Sequence, residues 1–449
     1  MHIAMIYDAV YPFVIGGAEK RHHAVARDLC REHRVSIYGY RYWTDDRRGC
    51  IPGCEYVALG TPLDLYGSGG RRRCVEAVVF AVRLFFSLLR AREDLWDLVN
   101  FPFFSVPVAR LVSVLRGRVL IVTWHEFWGD YWYEYLGWRG IIGKMVERFA
   151  LKCSPRIVVS SEHTRRRLCA AGYDGARITV VPCGLAFDEI AAVAPAPEGT
   201  DLVYVGRLAP HKRVDLLLEA LKLLRDAGRE VTLSVVGEGP ERDRLEKRAA
   251  DLGIREHVTF TGALHPDAAV YARLKASRVF VSGSEREGFG IAAIEAWACG
   301  IPTIVTSAPG NATAELVDCD CKGRVVIPTA PAIALACGEL LDTTSELTSN
   351  TLVSMAARFD WPLIAARLRQ VYADALEAAH GASLPGREGK SPAVAPAVRR
   401  VDRFNQERRE DGLDAQHDER PPEDPVPRRR DRERLRPAGK NGHGDRRAN

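Results

Sequence analysis

The stretch from Glu285 to Pro302, EREGFGIAAIEAWACGIP, sets two carboxylates, Glu287 and Glu295, with seven residues between them, behind a short apolar strand at 279–282. Gly288 and Gly290 leave the turn open enough for a ligand to touch main-chain N–H groups. An alanine-rich helix starts near Gly290. Its unpaired N–H groups around Phe289 and Ile291 point at the same place, where an anion is stabilised. Glu295 falls roughly 80° round the helix from Glu287 if both are treated as helical. Because Glu287 sits on the turn, the two carboxylates reach different parts of one ligand, with an anionic centre between them.

A second set of charges suits the same anion. The strand 201–205 ends in Gly206-Arg207-Leu208, and Lys212 follows at the start of a long helix. Two fixed cations plus helix N–H groups are what a diphosphate needs. Val119–Thr123 is a buried strand that runs into Trp124-His125-Glu126, and a side chain at the carboxyl end of a parallel strand points into a ligand crevice. Near the N-terminus the strand 2–7 is followed by Gly16-Gly17-Ala18-Glu19 and a helix to Cys30. That loop is longer than a dinucleotide turn and is not G-x-G-x-x-G, which argues against a nicotinamide cofactor.

These motifs together resemble the family 4 retaining glycosyltransferases, over residues 1 to about 380. The resemblance implies a GT-B fold and transfer of a sugar from a UDP or GDP donor to a hydroxyl. It implies that Glu287 contacts the donor sugar, Glu295 the ribose, and the turn Gly288-Phe289-Gly290-Ile291 the diphosphate. The GR-x4-K run of Gly206, Arg207 and Lys212 matches the family's phosphate clamp. Gly16 and Gly17 match its N-terminal glycine loop, which approaches the phosphate from the opposite domain, and His125 matches a histidine that hydrogen-bonds the sugar. Gly237 ends the next strand, and Leu264 follows a turn that lies against the nucleobase in relatives. Two positions depart from the family pattern. Cys183 stands where Asn is usual, and only Gly310 matches a Gly-Gly pair. No metal or other cofactor is expected, because no D-x-D lies beside the fixed cations.

The acceptor side is legible only as composition. Four of the eight tryptophans lie between 124 and 138. Aromatic faces stack on sugars and sit well at membrane interfaces, so Trp128, Tyr131 and Trp132 are the expected acceptor wall. From 71 to 92 the chain reads RRRCVEAVVFAVRLFFSLLRAR, with Val75, Val78, Val82, Phe85, Phe86 and Leu89 at helical spacing and arginines at both ends. Such a helix either covers the sheet or lies on an anionic membrane surface. A glycan or lipid-linked acceptor fits both features.

Strands alternate with helices throughout, which predicts two doubly wound parallel sheets facing a central cleft. The expected domains are 1–186 and 201–360, joined by a Pro/Ala linker at 187–200, with a helix at 361–380 returning to the first. Residues 383–449 are rich in Pro, Gly and mixed charge and read as a disordered tail. Residues 387–449 carry 17 Lys and Arg against 13 Asp and Glu, so most of the formal +5 sits there and the rest gives no reason to expect nucleic acid. Eleven cysteines are scattered without C-x-x-C, which favours reduced thiols, no zinc and a cytoplasmic protein, at most peripheral to the membrane. The start MHIAMIYDAV reads as a strand rather than a signal peptide. Alternatives within the same fold are a sugar-nucleotide epimerase or hydrolase, and a non-catalytic sugar-nucleotide-binding protein.

Overall fold

The computed structural model describes residues 1–44, 50–63, 74–343 and 346–381; the tail at 383–449 and the arginines at 71–73 lie outside the described residues. The N-terminal half builds one sheet from β1 (His2–Ile6), β2 (Arg34–Gly39), β3 (Glu55–Ala58), β4 (Leu95–Val99), β5 (Val119–Trp124), β6 (Ile157–Val159) and β7 (Ile178–Val180). They pair in the order β3-β2-β1-β4-β5-β6-β7, every pair parallel. Parallel strands need covered faces, and β1 shows how period two serves both. Its Ala4 and Ile6 pack on one side of the sheet, Ile3 and Met5 on the other.

The helices supply those covers. They are α1 (Gly17–Leu29), α2 (Cys74–Leu88), α3 (Ser105–Arg116), α4 (Tyr131–Leu136), α5 (Gly140–Cys153) and α6 (Glu162–Ala170). On one face lie Phe80 and Leu84 of α2, Val106 and Val112 of α3, and Ala150 and Leu151 of α5. On the other lie Val25 and Leu29 of α1. Ser161 caps α6 by accepting from the Thr164 N–H at 3.2 Å. The stripe read at 75–89 divides. Val75, Val78, Val82 and Phe86 face outward, while Phe80, Leu84 and Leu88 make the sheet contact.

The segment expected as a linker begins with a helix, α7 (Phe187–Ala192), whose Ile190 is buried. The second sheet contains β8 (Thr200–Val205), β9 (Leu233–Val236), β10 (Val258–Gly262) and β11 (Ser277–Val281). After these come β12 (Arg286–Glu287), β13 (Thr303–Thr306), β14 (Gly310–Asn311) and β15 (Gly323–Val326). Its order is β10-β9-β8-β11-β13-β15, and β12 pairs with β14 in a separate ladder. The helices are α8 (Val214–Asp226), α9 (Arg242–Asp251), α10 (Asp267–Lys275), α11 (Ile291–Ala298), α12 (Ala330–Thr343) and α13 (Glu346–Ala356). The last helix, α14 (Trp361–Gly381), packs Ile364, Leu368 and Tyr372 on the first sheet beside α1.

Strand order reverses between β1 and β4 in the first sheet and between β8 and β11 in the second. Loops leaving the carboxyl ends diverge there and open the crevices where α/β sheets bind ligands. One expectation is corrected. Cys30 with Cys54, and Cys319 with Cys321, form disulfides, so the thiols are not all free. Folding brings the first pair together, Cys30 from the end of α1 and Cys54 from the loop before β3, whereas Cys319 and Cys321 stand two residues apart in the chain.

Candidate active site

The turn after β11 carries the first carboxylate, and buried Asn311 shapes it. Asn311 Nδ2 donates to the Ser284 carbonyl at 3.1 Å and to the Thr306 carbonyl at 2.9 Å. The β12–β14 ladder then sets Glu287 opposite Asn311. Glu287 Oε1 accepts from Lys212 Nζ at 2.5 Å and from Ser284 Oγ at 3.1 Å. The sequence-predicted carboxylate and cation therefore meet, although 75 residues separate them. Lys212 closes a short turn before α8. Arg213, next in the chain, takes a left-handed backbone with φ 46°. Its guanidinium holds Asp215 at 3.2 Å and Glu285 at 2.5 Å, contacts that offset the backbone strain.

Gly290, with φ 99°, caps α11 in a conformation that disfavours other residues. The Ile291 side chain reaches Gly17, where an added Cβ would stand 3.1 Å from it, so the N-terminal glycine loop faces the start of α11. Phe289 is buried with its ring edge-on to Phe359. Gly288 meets the other half of the molecule. Ser160 Oγ and Ser161 Oγ donate to its carbonyl at 3.2 and 2.8 Å, and a Cβ on it would overlap the His125 carbonyl. His125 itself is half-buried, and desolvation with Arg21 and His22 nearby pushes its pKa down to about 3. At neutral pH it is a neutral hydrogen-bonding group.

Gly206, Gly237 and Leu264 follow three adjacent strand ends. Gly206 N–H donates to the Val236 carbonyl at 3.0 Å and Gly237 N–H to the Gly262 carbonyl at 2.9 Å. Leu264 is half-buried two residues on. Arg207 is exposed, and its charge is felt by Glu19, the acid of the glycine loop. Gly16 stands directly before α1. Glu295 lies in α11, and burial raises its carboxyl while Lys20 of α1 opposes the shift. Tyr271 OH donates to it at 3.5 Å, and Lys20 pairs with Asp267 at 2.9 Å across the cleft.

The aromatic segment is organised by a residue that composition hid. Glu147 of α5 is buried and accepts from Trp128 N at 2.7 Å, Gly129 N at 2.8 Å and Trp132 Nε1 at 3.2 Å. Trp132 is 8% exposed, so its ring belongs to the core and not to a sugar-facing wall, which corrects the expectation. Trp128 and Tyr131 hold the Arg286 guanidinium at 4.5 and 3.8 Å from their ring centres. Glu126 Oε2 adds an ion pair to Arg286 at 3.4 Å. Among the described residues no three His, Cys, Asp or Glu side chains are grouped as a metal site.

Two family models divide the chain. Residues 16–184 match the glycosyl transferase 4-like domain and residues 187–347 match glycosyl transferases group 1. The chain belongs to the group 1 glycosyltransferases. Among its relatives is the GDP-mannose-dependent α-(1-6)-phosphatidylinositol monomannoside mannosyltransferase of Mycolicibacterium smegmatis. That protein is 34% identical over 203 residues, which is 40% of this chain and 51% of the relative. The D-inositol 3-phosphate glycosyltransferase of Nocardia farcinica is 36% identical over 242 residues, 50% of this chain and 53% of that one. The chain thus spans about half the length of the curated relatives it matches. Among solved structures, Anabaena HepE in complex with UDP superposes with a TM-score of 0.63 at 18% identity, covering 83% of this chain and 100% of HepE. Sucrose-phosphate synthase from Thermosynechococcus elongatus gives 0.67 at 21%, covering 84% and 99%. These likenesses establish the GT-B fold.

Within this group 1 glycosyltransferase, sequence reasoning missed Arg286, Glu147, Asn311 and Lys20. Arg286 reads as one more charge on a solvated turn. Glu147 left a trace, as the one acid in GIIGKMVERFALKC. Asn311 was visible only as a turn residue. No described helix is long and apolar enough to cross a membrane.

Proposed function

We propose that this protein moves a sugar from a UDP- or GDP-sugar to a hydroxyl of a glycan or lipid-linked acceptor, with retention at the anomeric carbon. The observation that carries the reading is the Lys212–Glu287 pair at 2.5 Å beside the start of α11, facing the Gly16–Gly17 loop. In the reaction the bond from the anomeric carbon to the diphosphate oxygen breaks, and its electron pair leaves with the nucleoside diphosphate. Arg207, Lys212 and the N–H groups at the start of α11 stabilise that charge without a metal. The bond to the acceptor oxygen forms on the same face, and the hydroxyl proton passes to the departing phosphate. His125, neutral, and Glu287 hold the sugar in its reactive orientation, and Glu295 holds the ribose. The curated relatives named for GDP-mannose and phosphatidylinositol mannosides favour a mannosyl donor and a lipid-linked acceptor.

The test is nucleotide release from a panel of UDP- and GDP-sugars, with and without EDTA, for the wild type and Arg207→Ala. Turnover of one donor that survives EDTA and collapses in the variant supports the reading. Tight donor binding without turnover, even with membrane lipid extracts, points instead to a binding protein. The anomeric configuration of the product, read by NMR, decides retention.

A further inference from the structure

Behind His125 the N-terminal half holds a small cavity, bordered by Arg21, His22, Asp97, Thr123, His125 and Leu368 among others. The space open to a water's centre is about 10 Å³, room for one molecule. Arg21 of α1 is buried. Its Nη2 donates to the Val181 carbonyl at 3.2 Å, while its Nε is buried without a partner. Asp97 of β4 is buried too. It accepts from Thr123 Oγ1 at 2.7 Å and from the Tyr372 hydroxyl of α14. Burial raises its carboxyl, and Tyr372, Thr123 and Arg21 oppose the shift. A buried cation and a buried carboxylate thus border one cavity with no ion pair between them. A guanidinium donor left unmet in the interior is costly, and ordered water meets such groups where the site is polar and roomy enough.

The same two residues reach both connections between the halves of the fold. Val181, held by Arg21, directly follows β7, and the chain crosses to the second half from there. At the crossing the Leu185 N–H donates to the Phe359 carbonyl at 2.9 Å and the Trp361 N–H to the Leu185 carbonyl at 3.1 Å. α14 starts at that point and returns Tyr372 to Asp97. Thr123, the other partner of Asp97, stands two residues before His125 at the end of β5. The cavity therefore lies where both crossings are tied to the strand that presents His125.

We infer that one ordered water occupies this cavity, accepts from Arg21 Nε and donates to Asp97 and to the inward ring nitrogen of His125, which makes Arg21 and Asp97 positioning residues for the sugar site. A ring nitrogen that accepts carries no hydrogen. The proton of the neutral imidazole then stands on the other nitrogen and is offered to the sugar. Through Val181 and Tyr372 the same link ties the ring to both connections. The role rests on the reading of His125 as a sugar ligand, whereas the water itself is observed without turnover. The charged and titratable groups around the ring are Arg21 and His22 of α1, Asp97 of β4 and, behind Asp97, Tyr372 of α14. Across the cleft Arg286 is paired with Glu126, and Glu287 with Lys212.

The experiment joins a crystal structure that resolves waters to the kinetics of nucleotide release, for the wild type, Arg21→Met and Tyr372→Phe. The wild type is expected to show one water between Arg21, Asp97 and His125. Arg21→Met should lower kcat roughly ten- to hundredfold. Its KM for the donor should stay within about twofold of wild type, because Arg207, Lys212 and Glu295 still hold the nucleotide. Its melting temperature should not fall, since methionine replaces a buried cation that has no carboxylate partner. With Arg21 gone, Asp97 is the charge behind the ring and favours the imidazolium, so the acid limb of kcat should move to higher pH. Tyr372→Phe keeps its ring in the core and should lower kcat roughly two- to tenfold. A wild-type cavity without a water overturns the inference, as does a water bonded to His22 and not to His125. So do wild-type kcat and pH profile in Arg21→Met, whatever its melting temperature, and the water and Tyr372→Phe are read independently of that variant. A wild type that turns over no donor instead removes the glycosyltransferase reading, and with it the role given to the water.

Discussion

The guanidinium of Arg286 lies 3.8 Å from the centre of the Tyr131 ring, and the two residues come from different halves of the fold. Trp128 covers it at 4.5 Å and Glu126 pairs with it at 3.4 Å. Arg286 immediately precedes Glu287, so this aromatic clamp fixes the strand that carries Glu287. Glu147 in turn fixes the clamp by accepting the Trp128 and Gly129 N–H groups. A chain of contacts thus runs from the interior of α5 to Glu287.

Arg286→Ala should lower kcat/KM for nucleotide release roughly ten- to hundredfold, because each desolvated cation–π contact contributes about 0.5–2 kcal/mol. Arg286→Lys should recover little, since an ammonium cannot lie flat on a ring while also reaching Glu126. Tyr131→Phe keeps the ring and should be near wild type. Steady-state kinetics on the three variants decide it; an Arg286→Ala enzyme with wild-type kinetics removes the clamp from the mechanism.

Gly288→Ala should separate closure from folding. Its Cβ would overlap the His125 carbonyl, across the cleft from its own domain. Overpacking of this kind costs about 1–3 kcal/mol, and here the molecule can relieve it by opening. The expected result is a melting temperature close to wild type with turnover at least tenfold lower, about 1.4 kcal/mol in barrier. Calorimetry beside the nucleotide-release assay measures both.

Lys212→Ala and Glu287→Ala should each impair turnover severely, and the double variant should lose much less than the product of the two. Residues in one ion pair couple by about 0.5–3 kcal/mol, whereas independent sites add. The Lys212–Glu287 contact at 2.5 Å places them in the first class. A double-mutant cycle on kcat/KM gives the coupling directly, and simple additivity would mean that the pair does not act together.

Acid should unmask the half-buried histidines. Burial pushes the pKa of His22, His125 and His211 down to about 3. In the unfolded chain a histidine titrates at about 6.5. Between these values the unfolded chain binds more protons, so this contribution to stability rises with pH through the window and is flat above it. Each pH unit lost below the unfolded value costs up to about 1.4 kcal/mol per histidine. Burial also raises Asp97, Glu147 and Glu295, which act in the opposite direction. The test is therefore a difference: melting temperatures from pH 7 to 5 should fall less for His22→Phe than for the wild type. His22 Nε2 has no hydrogen-bond partner, so the ring replacement strands no polar group. Parallel curves would show that His22 does not titrate on unfolding.

Much of the site was legible because its residues follow strand ends. Gly16 and Gly17 follow β1, His125 follows β5, Gly206 and Arg207 follow β8, and the Glu287–Glu295 run follows β11. Alternating apolar strands and helices mark those ends by local pattern alone, and a parallel sheet gathers them on one edge. The stripe at 75–86 was equally visible, yet its direction was not. Periodicity reports that a helix has an apolar face, and it does not say whether Val78 or Phe80 meets the sheet.

The sequence by itself determined the family, the two parallel sheets and the candidate catalytic positions, because each rests on spacing within one strand–turn–helix unit. The tertiary structure alone decided what those positions touch. The pairing of Lys212 with Glu287, the aromatic grip on Arg286, the three hydrogen bonds into Glu147 and the adjoining outer faces of α2, α3 and α5 join segments far apart in the chain. Such contacts follow from sheet order and helix packing, which bring distant side chains within a few ångströms only once the whole core has closed, and no local pattern encodes that distance.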